Sequence, residues 1–269
     1  MSDLKQIESN IEIHDRIAAK YERIHPEIFN EVEQDRLHKS LKNALSFVDN
    51  TSGLIKVLDF GCGSGNLTSH LLRLNTEVTA ADVSDRFLQL VKRKYPSDQL
   101  KTFKLNGVDL EGLPKAHFDF IALYSVLHHI PDYVGLLKDL ASLCKPGGVI
   151  YIDHENNDEF WSNTSRYNEF RRKASKFNWH KYLDPFNYVH KIRRFFNPRH
   201  TNEGDIHVWP DDHIEWNAIE QLFDQLQFQV VVKNDYLLCN KLYRQEIYNE
   251  YKDKCSDTRV MAFRKTSHH

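Results

Sequence analysis

Two groups of residues in this chain have types and spacing that promise chemistry. The first is Val57-Leu58-Asp59-Phe60-Gly61-Cys62-Gly63-Ser64-Gly65-Asn66, where an apolar run carrying one acid leads into glycines at alternate positions. Glycine admits positive φ and lets backbone approach a ligand, and the free N–H groups at a helix start favour an acceptor-rich or negative group. A dinucleotide fingerprint needs a glycine at the sixth position of its motif, where this chain has Asn66. Asp59 behind the loop suits a cationic ligand better than a pyrophosphate. The second group is a set of histidines: His128 and His129, His154 in Ile152-Asp153-His154-Glu155, and His207 and His213 in His207-Val208-Trp209-Pro210-Asp211-Asp212-His213. Imidazole exchanges protons near neutrality, which a hydroxyl nucleophile requires.

The elements that must position these groups follow from periodicity. Strands are predicted at residues 55–60, 77–82, 100–105, 118–124 and 149–153, with helices from Asn66, from Ser84 to Lys94 and from Ile130 to Leu143, the last closed by Lys145-Pro146-Gly147-Gly148. Strands alternating with helices at this interval imply a doubly wound parallel sheet whose ligands sit at the strands' carboxyl ends. Downstream, a helix over 214–226, a strand over 228–232, a helix over 238–252 and a strand over 259–264 complete the pattern, with Asp211 or Asp212 capping the first of these helices. Residues 3–48 read as two packing helices separated by Pro26, or as a lid in which Ala18-Ala19-Lys20-Tyr21 covers the ligand.

Composition narrows the class. A chain of 269 residues with 41% hydrophobic and 28% charged residues is one α/β domain with an insertion, and a net charge of −2 gives no global attraction to nucleic acid. Cys62, Cys144, Cys239 and Cys255 show no paired spacing and read as reduced thiols of a cytoplasmic protein. No apolar run approaches the roughly 18 residues of a membrane helix.

Downstream acids sharpen the reading of the glycine loop. Glu77-Val78-Thr79-Ala80-Ala81-Asp82 ends in an acid, Asn106 to Pro114 holds Asp109-Leu110, and Phe118 to Asp132 and Leu143 to Gly148 follow in order. Over about residues 55–155 the chain resembles the class I S-adenosylmethionine-dependent methyltransferases of the small-molecule type. That resemblance implies a Rossmann-like seven-stranded sheet with an N-terminal helical lid (1–50), a cofactor-binding core (51–155), a helical cap inserted after the fifth strand (156–205) and a C-terminal part of the sheet (206–266). It implies that Gly61, Gly63 and Gly65 hold the methionine portion of S-adenosylmethionine with Asp59 near its ammonium group. Asp82 would take the ribose hydroxyls and Asp109 and Leu110 the adenine. Tyr124 and Tyr21 complete the cofactor's surroundings, and S-adenosylhomocysteine is the product.

The acceptor side is less constrained. His154 is a candidate base or a hydrogen-bonded loop histidine; His129 is a base or part of the cofactor's cover; His213 and His207 are further candidates. Asp153, Glu155, Asp211 and Asp212 lie beside these histidines, but carboxylate count alone makes no metal site, and none is assigned. From 156 to 200 the chain carries ten lysines and arginines against four acids, about +6, and many aromatics. Arg166, Arg171, Trp179, Tyr182 and His207 are the candidates to hold an anionic or sugar-like small acceptor, against the reading that the aromatics are simply a subdomain core. Lys191-Ile192-Arg193-Arg194-Phe195-Phe196 suits contact with a membrane surface and a lipid-linked glycan acceptor. Nucleic acid is disfavoured because Leu123-Tyr124-Ser125-Val126 lacks the Asn/Asp-Pro-Pro-aromatic sequence. The expected activity is O-methylation. N-methylation, a nucleotide-dependent oxidoreductase and a non-catalytic cofactor-binding regulator are its rivals.

Overall fold

The computed structural model describes residues 21–49, 53–162, 164–175, 199, 201 and 205–267. The chain runs α1 (Tyr21–Ile24), α2 (Glu31–Leu45), β1 (Lys56–Phe60), α3 (Asn66–Arg73), β2 (Glu77–Asp82), α4 (Asp85–Lys94), β3 (Leu100–Lys104), β4 (Phe118–Tyr124), α5 (Tyr133–Leu143) and β5 (Cys144–Asn156). It continues through α6 (Asp158–Ser162), α7 (Ser165–Ala174), β6 (Val208–Trp209), β7 (Asp212–His213), α8 (Trp216–Gln225), β8 (Phe228–Tyr236), α9 (Gln245–Tyr251) and β9 (Thr258–Lys265). Seven strands form one sheet in the order β3-β2-β1-β4-β5-β9-β8. The first five are parallel, and β9 lies antiparallel between β5 and β8.

Strand β4 shows why the sheet is central. All seven of its residues are buried. Phe118, Ile121 and Leu123 join the core on one face with Leu137 and Leu140 of α5 and Trp216 and Phe223 of α8, while Phe120, Ala122 and Tyr124 join the other with Leu37 and Leu41 of α2 and Leu67 and Leu71 of α3. A strand covered on both faces has no polar alternation, which is why its sequence is a continuous apolar run. The chain leaves β1 in one direction toward β2 and β3 and returns for β4 on its other side. The crevice for a ligand therefore opens between β1 and β4.

The departures from the sequence expectations have local causes. Lys145 to Gly148 lie within β5 rather than in a turn before it, because the β4–β5 pairing begins at Cys144 and slips between Phe118 and Phe120. Strand β8 extends to Tyr236 because Lys233, Asn234 and Asp235 sit on an edge strand where polar residues are tolerated. The predicted 238–252 helix begins only at Gln245: Asp257 takes the Leu238 N–H at 2.8 Å and Asn240 takes that of Leu242, which commits the preceding stretch to a loop. Asp211 and Asp212 do not cap α8. They belong to the β6–β7 hairpin, where Arg199 pairs with both, and α8 starts at Trp216 with Glu215 at its N-cap making no side-chain cap bond.

Tyr167, Phe170 and Ala174 of α7 form a small core with Tyr248, Tyr251 and Cys255. The aromatics of α7 within the insertion are therefore packing, whereas Trp161 of α6 lines a cavity. All four cysteines are free and buried. No helix among the described residues is long and apolar enough to cross a membrane.

Candidate active site

The glycine loop at the end of β1 is shaped by a neighbour on one side and by open space on the other. A Cβ at Gly61, where φ is +70°, would come within 2.7 Å of Val126 Cγ2, whereas one at Gly63 would meet nothing within 4 Å. Gly63 thus presents bare backbone to a cavity of about 610 Å³. Asp59, Gly61, Gly63, Asp82, Asp109, Leu110, Tyr124 and Tyr21 all line it, as do Ser64, Asn66 and His129. Gly65 is instead the N-cap of α3, with its α-carbon against Tyr95.

The acids around this cavity have distinct local jobs. Asp82 accepts the Gly63 N–H at 2.9 Å and the Ser84 N–H at 2.8 Å, so it ties the glycine loop to the start of α4. Asp109 accepts from the Asn106 amide at 2.7 Å and the Glu111 N–H at 3.0 Å, which hold its exposed carboxyl below its ordinary pKa. Asp59 is 1% exposed and accepts the Thr68 hydroxyl at 2.5 Å; burial pushes its pKa up to about 7 despite that bond. A buried carboxyl poised to ionise beside a glycine cradle favours an arriving cation.

Two polar atoms in the loop are buried with no hydrogen-bond partner among the described residues, Ser64 Oγ and Asn66 Nδ2. The Asn66 side-chain oxygen is occupied by Gln34 at 2.9 Å, which leaves its amide N–H for a ligand. Acids for an ammonium group and a diol, with unused donors beside bare backbone, match a cationic amino acid–nucleoside conjugate such as S-adenosylmethionine. Sequence reasoning assigned Ser64 and Asn66 no ligand-binding role, Asn66 being read as the residue in place of a sixth-position glycine.

A second, polar cavity of about 280 Å³ shares Tyr21, Ile28, Ser125 and His129 with the first. Ser125 and His154 follow the adjacent strand ends of β4 and β5 and both have φ near +60°, at +59° and +66°. Left-handed backbone at two non-glycine residues costs energy and concentrates at functional sites. The structure fixes it through the Ser125 N–H donating to the Asp153 carbonyl and the His154 N–H donating to Asp153 Oδ1 at 2.7 Å.

Glu155 connects the two strands. Its Oε1 accepts the backbone N–H groups of Val126 and Leu127 at 3.0 and 2.8 Å, and its Oε2 lies 2.8 Å from His128 Nδ1. Residues Leu127–His129 form a single 3₁₀ turn, so this one carboxylate holds the turn that carries both histidines. Behind it, Asp153 accepts from Arg36, Tyr151 and Tyr236, and Tyr124 donates to Glu33 at 3.3 Å. Burial raises Glu33 to about 7 although Arg36 opposes it. Sequence reasoning missed Glu33 and Arg36 because they lie on α2, more than a hundred residues from Asp153.

The structure places the other candidates unevenly. His154 lines the second cavity and stacks on Tyr124 with centroids 4.7 Å apart; burial lowers its pKa to about 4, and its Nε2 has no partner among the described residues. His207 lines the same cavity, but its ring is pinned, with Nδ1 2.5 Å from Asp212 and Nε2 3.0 Å from the Ile130 carbonyl oxygen. His213 stacks on Trp161 and stands outside the walls of both cavities. Arg166 and Arg171 also stand outside them, because α7 buries Tyr167 and Phe170 and turns its arginines to solvent. Trp179, Tyr182, residues 191–196 and residues 18–20 of the expected lid lie outside the described residues.

A doubly wound sheet with a glycine cradle and two acids at its switch point defines a Rossmann-like, cofactor-binding α/β protein. Residues 58–150 match the family model described as a methyltransferase domain. The chain is 22% identical over 226 residues to the ubiquinone biosynthesis O-methyltransferase of Acinetobacter baylyi, covering 78% of this chain and 95% of that protein. It is 32% identical over 128 residues to the Idiomarina loihiensis protein of the same name, covering 45% of this chain and only 52% of that one. Its fold is shared with the N-methyltransferase NodS of Bradyrhizobium japonicum in complex with S-adenosyl-L-homocysteine (TM-score 0.57, 14% identity, 95% of this chain and 98% of that chain). It is shared as well with an S-adenosylmethionine-dependent methyltransferase from Mesorhizobium loti (TM-score 0.54, 15% identity, 82% and 96%). Residues 58–150 therefore carry a methyltransferase domain, in a fold that the chain shares with S-adenosylmethionine-dependent methyltransferases.

Proposed function

We propose that this methyltransferase methylates a hydroxyl oxygen of a small molecule bound in the second cavity. The observation that carries the reading is the shared wall: Ser125, His129, Tyr21 and Ile28 border both the cofactor cavity and a polar, histidine-lined one. S-adenosylmethionine, when bound, supplies the methyl group and its own leaving group, which leaves the protein to align the acceptor, exclude water and manage one proton. Ser64, Asn66, Asp59, Asp82 and Asp109 would hold it, and Tyr124 with Leu110 would close its sides.

The acceptor's chemistry follows from the second wall. Among its described residues are Glu27, Glu155 and Asp205 but no lysine or arginine. A hydroxyl-rich, sugar-like or phenolic acceptor therefore fits better than a carboxylate or phosphate, and Arg166 and Arg171 are not its clamps. The O-methylation in the names of the related Acinetobacter and Idiomarina proteins supports oxygen over nitrogen.

His154 is neutral at physiological pH and orients the acceptor through its partnerless Nε2. It does not ionise a hydroxyl unaided. With its pKa near 4 against about 10 for a phenol, full proton transfer would be uphill by about 8 kcal/mol. The test is incubation of the protein and S-adenosylmethionine with matched phenols, vicinal diols, sugars and amines, with mass detection of product. Methylation of a hydroxyl-bearing compound is expected; methylation confined to nitrogen or carbon would remove the reading.

A further inference from the structure

The described structure contains one group of three side chains able to ligate a metal, and none of the three comes from the acids singled out in the sequence. His128, His129 and Asp205 place one ligand atom each within 4.8 Å of one another. His129 Nδ1 is 3.3 Å from Asp205 Oδ1, and His128 Nε2 is 3.9 Å from the same oxygen. With bonds of roughly 2.0–2.2 Å to an ion, neighbouring ligands in a tetrahedral site stand about 3.4 Å apart. Small side-chain rotations bring the set to that spacing.

The surroundings are built for ligation. Glu155, 2.8 Å from His128 Nδ1, requires the proton on that nitrogen and so leaves the Nε2 lone pair on the side of Asp205. A carboxylate–histidine pair of this kind fixes the tautomer and ring direction of metal-binding histidines. Asp205 is brought to the turn by backbone: the N–H groups of Ile206 and His207 both donate to the His128 carbonyl oxygen. The three residues line the second cavity, and His129 also lines the first.

From this arrangement we infer that His128, His129 and Asp205 hold a divalent transition ion that ligates the acceptor through two adjacent oxygens. Two imidazoles and one carboxylate favour zinc, iron or cobalt over magnesium or calcium, and three protein ligands leave positions open for substrate. A hydroxyl ligated there loses its proton to solvent water. Its oxygen lone pair then forms the O–CH₃ bond as the S–CH₃ pair returns to sulfur, giving the thioether S-adenosylhomocysteine. The ion supplies the activation that His154 cannot. The inference rests on the O-methylation reading for its substrate, but not for the ion site itself.

The test is calorimetric titration of the untagged full chain, stripped with chelator, with Zn²⁺, Co²⁺ and Mg²⁺, with Co²⁺ absorption as a second readout. About one equivalent of Zn²⁺ or Co²⁺ should bind, and Mg²⁺ should not. Glu155→Gln should weaken the ion about 10–100-fold, and Asp205→Asn and His128→Ala should weaken it at least as far. Affinity for S-adenosylhomocysteine should be unchanged in all three and reports that each is folded; if His128→Ala is not folded, Asp205→Asn decides. Failure to bind an equivalent, or binding untouched by Asp205→Asn, overturns the site. Ion binding with every hydroxyl acceptor refused would sink the O-methylation reading and leave the ion site standing. Chelator-insensitive methylation of a hydroxyl with no ion bound would do the reverse.

Discussion

The two cavities meet along one wall but are made in opposite ways. The cofactor cavity is assembled mostly from the ends of consecutive β–α units, and its acids are held by backbone N–H groups nearby: Asp82 by Ser84, Asp109 by Glu111. The proposed acceptor cavity draws on residues 21–28, 125–129, 154–161, 205–208 and 214, and is held by side chains reaching across the chain. Glu155 reaches residues 27 to 29 positions before it in sequence, and Asp153 reaches Arg36, 117 positions away. Local construction gives a cavity that tolerates drift elsewhere in the chain. Long-range construction makes the second cavity dependent on the whole fold.

The largest expected effect tests that dependence. Asp153→Ala removes an acceptor shared by Arg36, Tyr151 and Tyr236 and leaves a mostly buried guanidinium with Glu33 as its remaining carboxylate partner among the described residues. Breaking a buried pair costs roughly 3–5 kcal/mol, and because the Arg36 side chain keeps 20% of its surface exposed the low end, about 3 kcal/mol, is expected. Urea unfolding measures it. A loss below about 1 kcal/mol, the scale of exposed ion pairs, would show that the second cavity does not depend on this network.

The next effect belongs to the cofactor cavity. Asp82→Ala should weaken S-adenosylhomocysteine by about 1.5–3 kcal/mol, the range for hydrogen bonds to a charged group. It also frees the Gly63 N–H that shapes the cradle. Calorimetry reads the change, and an unaltered affinity would remove Asp82 from the site.

A smaller, graded effect distinguishes the cavities by pH. Burial raises Asp59 to about 7 in the free protein. Protonation removes the charge that attracts the ligand's ammonium, so affinity for S-adenosylhomocysteine should hold above pH 7 and fall below it, by up to about tenfold per pH unit. Asp59→Asn should flatten that profile. A wild-type profile that is flat from pH 8 to 6 would leave Asp59 with only its bond to Thr68.

The same contrast explains what could be read beforehand. The sheet was legible because β4 and β5 are apolar runs buried on both faces, and the alternate glycines, Asp82 and Asp109 lie at fixed offsets from strand ends. Ser64 and Asn66 were hidden within that motif because their significance is an absence of partners, which only coordinates reveal. Glu33, Arg36 and Asp205 were illegible for another reason: no periodicity or spacing links them to the residues they meet. His128 was visible, but its link to Glu155 depends on the left-handed turn at Ser125, a conformation that nothing in Tyr124-Ser125-Val126 announces.

The smallest predicted effect sets the outer boundary of the proposed acceptor cavity. Arg166 and Arg171 looked like clamps for an anionic acceptor because charge count and position were all the sequence offered. On α7 they occupy the exposed face: Arg166 donates to the Lys254 carbonyl oxygen at 3.3 Å, and the Arg171 guanidinium lies 5.9 Å from the centre of the Tyr167 ring. Substituting either by alanine should change stability by no more than about 0.5 kcal/mol, the usual range for surface positions. The KM for the methyl acceptor should stay within about twofold, since a shift that small is under 0.5 kcal/mol. Steady-state kinetics on Arg166→Ala and Arg171→Ala decide the matter. A tenfold rise in acceptor KM with kcat and cofactor affinity unchanged would put an anion-binding subsite on α7, extend the acceptor cavity beyond the walls seen here, and restore the negatively charged acceptor that the carboxylate-lined wall argues against.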